Sequence, residues 1–197
     1  MSVSRGDEGD GAGGTRAYHR GMTPRDDSDQ MPDEMNAPSM EAAQALRHAM
    51  QLHAGGQIDA ALAQASEVVE RWPEYAQALS YLGQTLVTRK RRFADGLAVL
   101  DRAVELGGND PYILYSAAWC REFAANAIER PKGAHQPVAE KPAALYAKAH
   151  DELLRALTLE PDDKLRGDVE DILDVIAKAT GEPWDEGLYE RAAPRPR

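Results

Sequence analysis

Five histidines, one cysteine and 33 carboxylates carry the chain's capacity for acid–base, nucleophilic or metal chemistry, and their spacing decides how much of it is usable. His48 and His53 are five residues apart, about 140° around a helix, whereas a helical metal pair at i and i+4 shares one face. His150 stands beside Asp151 and Glu152 with no nucleophile or glycine-rich phosphate cradle associated with it. Asp162-Asp163 lacks the spaced pattern of a calcium loop and suits a helix N-cap, where a carboxylate meets free backbone N–H groups. Cys120 excludes an internal disulfide, and its place in the apolar pattern makes it a small buried group rather than a reactive thiol. No catalytic residue, metal ligand or cofactor is therefore expected, and the chain reads as a non-enzyme. The one dense charge constellation is Arg89-Lys90-Arg91-Arg92.

The whole-chain balance runs the other way. Against 23 Lys and Arg stand 33 Asp and Glu, a net charge of −10, which disfavours general attraction to nucleic acid or anionic membrane. No run of 18 or more apolar residues offers a membrane span, and the N-terminus lacks the apolar stretch of a signal peptide. These features predict a cytoplasmic protein without a membrane partner, and the length of 197 residues suits one domain.

The elements that would position these residues follow from apolar periodicity and its punctuation. Residues 1–39, rich in Gly, Asp, Ser and Pro, have too little apolar surface to offset the entropy of ordering and are expected to form a disordered tail. Met22, Met31, Met35 and Met40 offer later starts within or just beyond it. A first helix opens after Ser39, a plausible N-cap, and stops at Gly55-Gly56. A second runs from Ile58 to Arg71, ahead of Pro73. The next two run from about Tyr75 to Thr88 and from Phe93 to Leu106, closing at Gly107-Gly108. Asp110-Pro111 starts a fifth that continues to about Arg130. Pro131, Gly133 and Pro137 then impose an irregular loop until Pro142 opens the sixth. The stretch 163–180 is amphipathic, with Leu165, Val169, Ile172, Leu173 and Ile176 on one face and Asp168, Glu170, Asp171 and Asp174 on the other; Gly181 and Pro183 end it.

The pattern repeats. Ala45, His48, Ala49 and Leu52, followed by Ala61, Ala65, Val68 and Pro73, are echoed about 34 residues later by Leu79, Leu82, Gly83 and Leu86, followed by Gly96, Leu100, Ala103 and Gly108. Ile113, Ser116, Ala117 and Cys120 continue in step, whereas Ala149, Leu153, Ala156 and Pro161 arrive about 20 residues late. The period and the small residues at paired helix contacts resemble the tetratricopeptide repeat family over about residues 42–163. The resemblance implies an all-α, right-handed helix-turn-helix solenoid of about three units, near 42–75, 76–109 and 110–163, with an insertion at 125–141 and a cap helix at 163–180. The array would occupy 40–181, leaving 182–197 as a C-terminal tail whose Trp184 is expected to fold back on the cap helix.

In that family the first helix of each unit lines a concave face that holds a peptide or helix of another protein. Carried over by register, the groove would contain Leu46, Met50, Gln77, Tyr81, Gln84, Leu114, Tyr115 and Arg121, with the two tyrosines as anchors. The family's carboxylate clamp for free C-termini is absent, since Leu46, Met50, Tyr81, Pro111 and Tyr115 stand at the places of its lysines, asparagines and arginine. Stacked turns would also bring Arg89, Lys90, Arg91 and Arg92 beside Arg130, Lys132 and Lys141, giving a basic edge suited to an acidic protein segment or a phosphate. Nucleic acid ranks below these, because no aromatic residues interleave the cations. The expected function is a protein-interaction adaptor. A small acidic secretion-type chaperone and a self-associating homo-oligomer module are the alternatives.

Overall fold

The computed structural model describes residues 39–185, within which every regular element is a helix. The order is α1 Met40–Ala54, α2 Ile58–Arg71, α3 Ala76–Lys90, α4 Phe93–Gly107, α5 Pro111–Glu129, α6 Pro142–Thr158 and α7 Asp163–Thr180. None of these helices is long and apolar enough to cross a membrane. The 1–38 segment and residues 186–197, including Leu188 and Tyr189, lie outside the described residues.

Local chemistry sets the helix ends. Ser39 Oγ accepts from the Ala42 amide at 3.1 Å, Asp110 Oδ1 from Tyr112 at 2.9 Å and Asp162 Oδ1 from Leu165 at 2.9 Å, each satisfying a donor that the first turn leaves free. Gly181, at φ 79°, ends α7 in the left-handed conformation that an L side chain resists.

Neighbouring helices pair as α1 with α2, α3 with α4 and α5 with α6, and successive pairs meet through α2–α3, α3–α5 and α4–α5. The short turns within the first two pairs make their partners antiparallel. Helix α7 packs on both α5 and α6. Small residues set the closest approaches. A Cβ on Gly83 would lie 2.8 Å from the Gly96 carbonyl oxygen, and one on Gly96 would lie 2.8 Å from that of Gly83. Ala49, Ala61, Ala117 and Ala149 are fully buried in the flanking pairs. The echo between pairs is 34 residues in their first helices (Ala49 to Gly83) but 35 in their second (Ala61 to Gly96), a refinement of the single period expected from sequence.

The largest apolar cluster runs from Val87 and Phe93 through α5 and α6 to Leu173 and Ile176 of α7, whereas α1 and α2 contribute only to smaller clusters. Three charged residues, Arg121, Glu122 and Glu152, are buried within this second half. Arg121, 1 % exposed, donates from Nε and Nη2 to the Glu152 carboxylate at 2.8 and 2.9 Å and from Nη2 to Asp101 at 2.8 Å. Lys148 also binds Asp101 at 2.8 Å, so the cluster joins α4, α5 and α6. Burial alone would favour a neutral guanidinium, but the Glu152 bonds and the nearby carboxylates outweigh it and hold Arg121 charged.

The 130–141 connection is pinned to the turn before α4. That helix has no capping side chain at its own N-cap, Arg92. Gln136 supplies one from afar: its Oε1 accepts from the Asp95 amide at 3.1 Å, its Nε2 donates to Asp95 Oδ1 at 3.0 Å, and its backbone amide donates to Arg91 at 2.9 Å. Arg91, at φ 52°, donates from Nε to Ala134 O at 3.0 Å, while the His135 ring stacks on buried Phe93 with centroids 4.9 Å apart. Residues 125–129 of the expected insertion are helical, part of the longer α5.

Candidate protein-binding groove

A hollow of about 320 Å³ lies across the first helices of the three pairs. His53 of α1, Tyr81, Gln84, Thr85, Thr88 and Arg89 of α3, and Trp119 and Phe123 of α5 line it. Its polar side chains are held by a relay. Arg89 Nε donates to His53 Nε2 at 3.1 Å, which requires an unprotonated Nε2 and leaves the imidazole proton on Nδ1. Nδ1 lies 3.1 Å from the Tyr81 hydroxyl, which donates to Ala49 O at 3.2 Å. Burial holds the Tyr81 phenol above its ordinary range, so it remains a donor at neutral pH. Thr85 and Thr88 return their hydroxyl protons to backbone carbonyls four residues back, at 2.8 Å each. Gln84, Trp119 and Phe123 are partly exposed and not bound into this relay.

A second hollow, about 210 Å³, adjoins the first across Phe123 and is lined by Arg91, Glu122, Asn126, Ala127, Arg130 and Lys132 as well. Glu122 is 7 % exposed, and burial raises its carboxyl above the ordinary range; Asn126 Nδ2 is 3.5 Å away. A third and larger space, about 640 Å³, opens between α6 and the end of α7. Alanines, Ile176 and the carboxylates Glu129, Asp151 and Glu182 are among its lining residues. Tyr146, His150 and Thr180 also line it, but all its residues come from the end of α5, from α6, from α7 and from the segment just after α7, so it does not reach α1 or α3.

The structure separates the residues expected to form the groove. Tyr81 and Gln84 line the hollow, but Leu46 and Leu114 are core residues, 6 % and 0 % exposed. Arg121 belongs to the buried ion cluster. Tyr115 is half-buried against the main core, and Met50 and Gln77 are exposed without lining the hollow. The causes are local: Leu46 packs with Val68 and Ala78 between the first two pairs, Arg121 is drawn to Asp101 of α4 and Glu152 of α6, and α7 packs on α5 beside Leu114 and Tyr115. Trp119 and Phe123, which the expected groove did not include, line the hollow and stand 34 positions after Thr85 and Arg89.

The cations expected to form a basic edge divide by their partners. Lys90 pairs with Asp59, and Arg92 donates to Asp95 at 2.8 Å, so these two act largely within the chain. Arg89 faces the first hollow; Arg91, Arg130 and Lys132 face the second. Lys141 immediately precedes α6 and lines neither. Cys120 is fully buried, its thiol pushed up to about 12 chiefly by burial, and is chemically quiet at neutral pH. Trp184 packs against the core and donates to Asp174 at 3.0 Å. Among the described residues no group of three or more His, Cys, Asp or Glu is placed to hold a metal ion. No protein-family model matches the chain, and no curated protein matches it.

Proposed function

We propose that the chain is a non-enzymatic adaptor, a right-handed array of three tetratricopeptide-type units with α7 as its cap, which holds a segment of another protein across α1, α3 and α5. The observation that carries this reading is the first hollow. Aromatic and polar side chains from three successive pairs converge there, and its Gln84, Trp119 and Phe123 are partly exposed while the relay fixes their neighbours. Aromatic side chains flanked by hydrogen-bonding groups provide contact area and orientation at small entropic loss. The near-34-residue echo, the paired helices and the Gly83–Gly96 approach support the repeat assignment. Residence in the cytoplasm is part of the same proposal.

The test replaces two side chains that carry none of the fold's internal hydrogen bonds. Full-length chain bearing Gln84→Arg and Trp119→Ala is compared with the parent in capturing partners from the native cell, with helical content followed by circular dichroism. Loss of a specific partner with helicity retained supports the reading. Unchanged capture overturns it.

A further inference from the structure

We infer that the segment held in this groove is acidic, with an apolar or aromatic residue in the first hollow and a carboxylate in the second. This rests on the groove reading above and adds the chemistry of the partner. Arg89, Arg91, Arg130 and Lys132 converge on the two adjoining hollows, and none forms an ion pair with a carboxylate among the described residues. On a chain of net charge −10 that is a local reversal of sign. Helices α3 and α5 both end at this rim, and such ends attract cations; each, however, carries only about −0.5 of a charge. Glu122 adds at most one more negative charge, and its burial favours the neutral form. Four cations exceed what these groups neutralise, so the rim keeps a positive field. Glu129, the next carboxylate along α5, lines the larger space near α7 and accepts from Tyr146 at 3.3 Å instead.

The shared Phe123 wall fixes the spacing of the ligand's two features. At about 3.3 Å per extended residue, the width of one aromatic ring corresponds to roughly two residues, so the two features stand close together in the ligand. A nucleic acid would satisfy the charges, but the hollows offer a slot for one or two side chains rather than a continuous basic track.

The probe is a displayed library of random twelve-residue peptides, selected on the full-length chain and counter-selected on the Trp119→Ala chain. A synthetic copy of the strongest binder is then titrated against Arg130→Glu, Lys132→Glu, a pair of exposed positions, with circular dichroism as the folding control. The expected result is enrichment of Asp or Glu within a few positions of Trp, Phe or Leu, about a tenfold loss of affinity on double reversal, and weakening by added salt. Peptides that require Trp119 but show no acidic enrichment and no response to reversal would overturn the charge inference and leave the groove reading intact. Peptides indifferent to Trp119, or no selection at all, would overturn both. Displacement of the bound peptide by single-stranded oligothymidylate at comparable concentration would overturn it in favour of nucleic acid.

Discussion

Arg121 and Glu152 meet as a two-pronged pair, with Nε and Nη2 of the guanidinium 2.8 and 2.9 Å from the two carboxylate oxygens, inside the contact between α5 and α6. Their side chains are only 1 % and 11 % exposed, so either partner left alone would be a charge without water. Truncation of Arg121 to alanine is expected to destabilise the fold by about 3–5 kcal/mol, whereas joint replacement by Met at 121 and Leu at 152 is expected to cost far less. Urea denaturation of the parent and the two variants measures the difference. A single truncation as mild as the double change would contradict it.

The adjoining Asp101 gives this cluster a pH signature. Burial pushes its carboxyl up, but the Lys148 hydrogen bond and the Arg121 charge together hold it below its ordinary 3.8. A depressed folded value means that the stabilisation is complete above 3.8 and disappears as pH falls through the lower, folded value. Acid titration of Asp101→Asn beside the parent should show the two converging in relative stability only below that point.

Glu122 titrates with the opposite sign. Burial raises its carboxyl above the ordinary 4.5, so the folded state binds the proton more tightly than the unfolded chain does. Its contribution is present below 4.5 and declines as pH rises through the folded value. Glu122→Gln should therefore raise Tm at pH 7 and change it little at pH 4, which differential scanning calorimetry would detect.

Gly83 and Gly96 should each resist alanine, although alanine is the better helix former by about 1 kcal/mol. The obstacle is backbone: each new methyl would sit 2.8 Å from the other residue's carbonyl oxygen, which flexible side chains cannot relieve. Separation of α3 from α4 is expected to cost about 1–3 kcal/mol and to outweigh the propensity gain. Stabilisation by either substitution would show that the two helices have room to part.

Gln136→Ala should weaken the start of α4 by about 1 kcal/mol, the usual cost of losing an N-cap. Amide exchange should accelerate at Asp95, whose N–H loses its acceptor, while the start of α7, capped by its own Asp162, should not change.

Much of the helical layout is legible from neighbouring residues alone. Ser39, Asp110 and Asp162 mark helix starts, Ile58–Arg71 and Asp163–Thr180 follow from their apolar spacing, and Gly181 marks a stop. What resists reading is set by partners distant in sequence. Gln136 caps Asp95 from 41 residues away, and Arg121 finds Glu152 at a separation of 31. Groove membership depends on the same long-range geometry: Leu114 and Trp119 are both apolar positions on α5, and the packing around that helix decides that the first is core and the second lines the hollow.

The uneven distribution of core gives the hollow a thermal weak side. Its α5 wall belongs to the large cluster, while its α1 wall, carrying His53, rests on the smaller clusters of α1 and α2. Helices with less buried apolar surface open first, so α1 should fray while α5 is still folded. A segment lying from His53 to Phe123 would act as a splint, fastening the loose first pair to the firm remainder, and its affinity should fall with temperature well before the molecule as a whole melts.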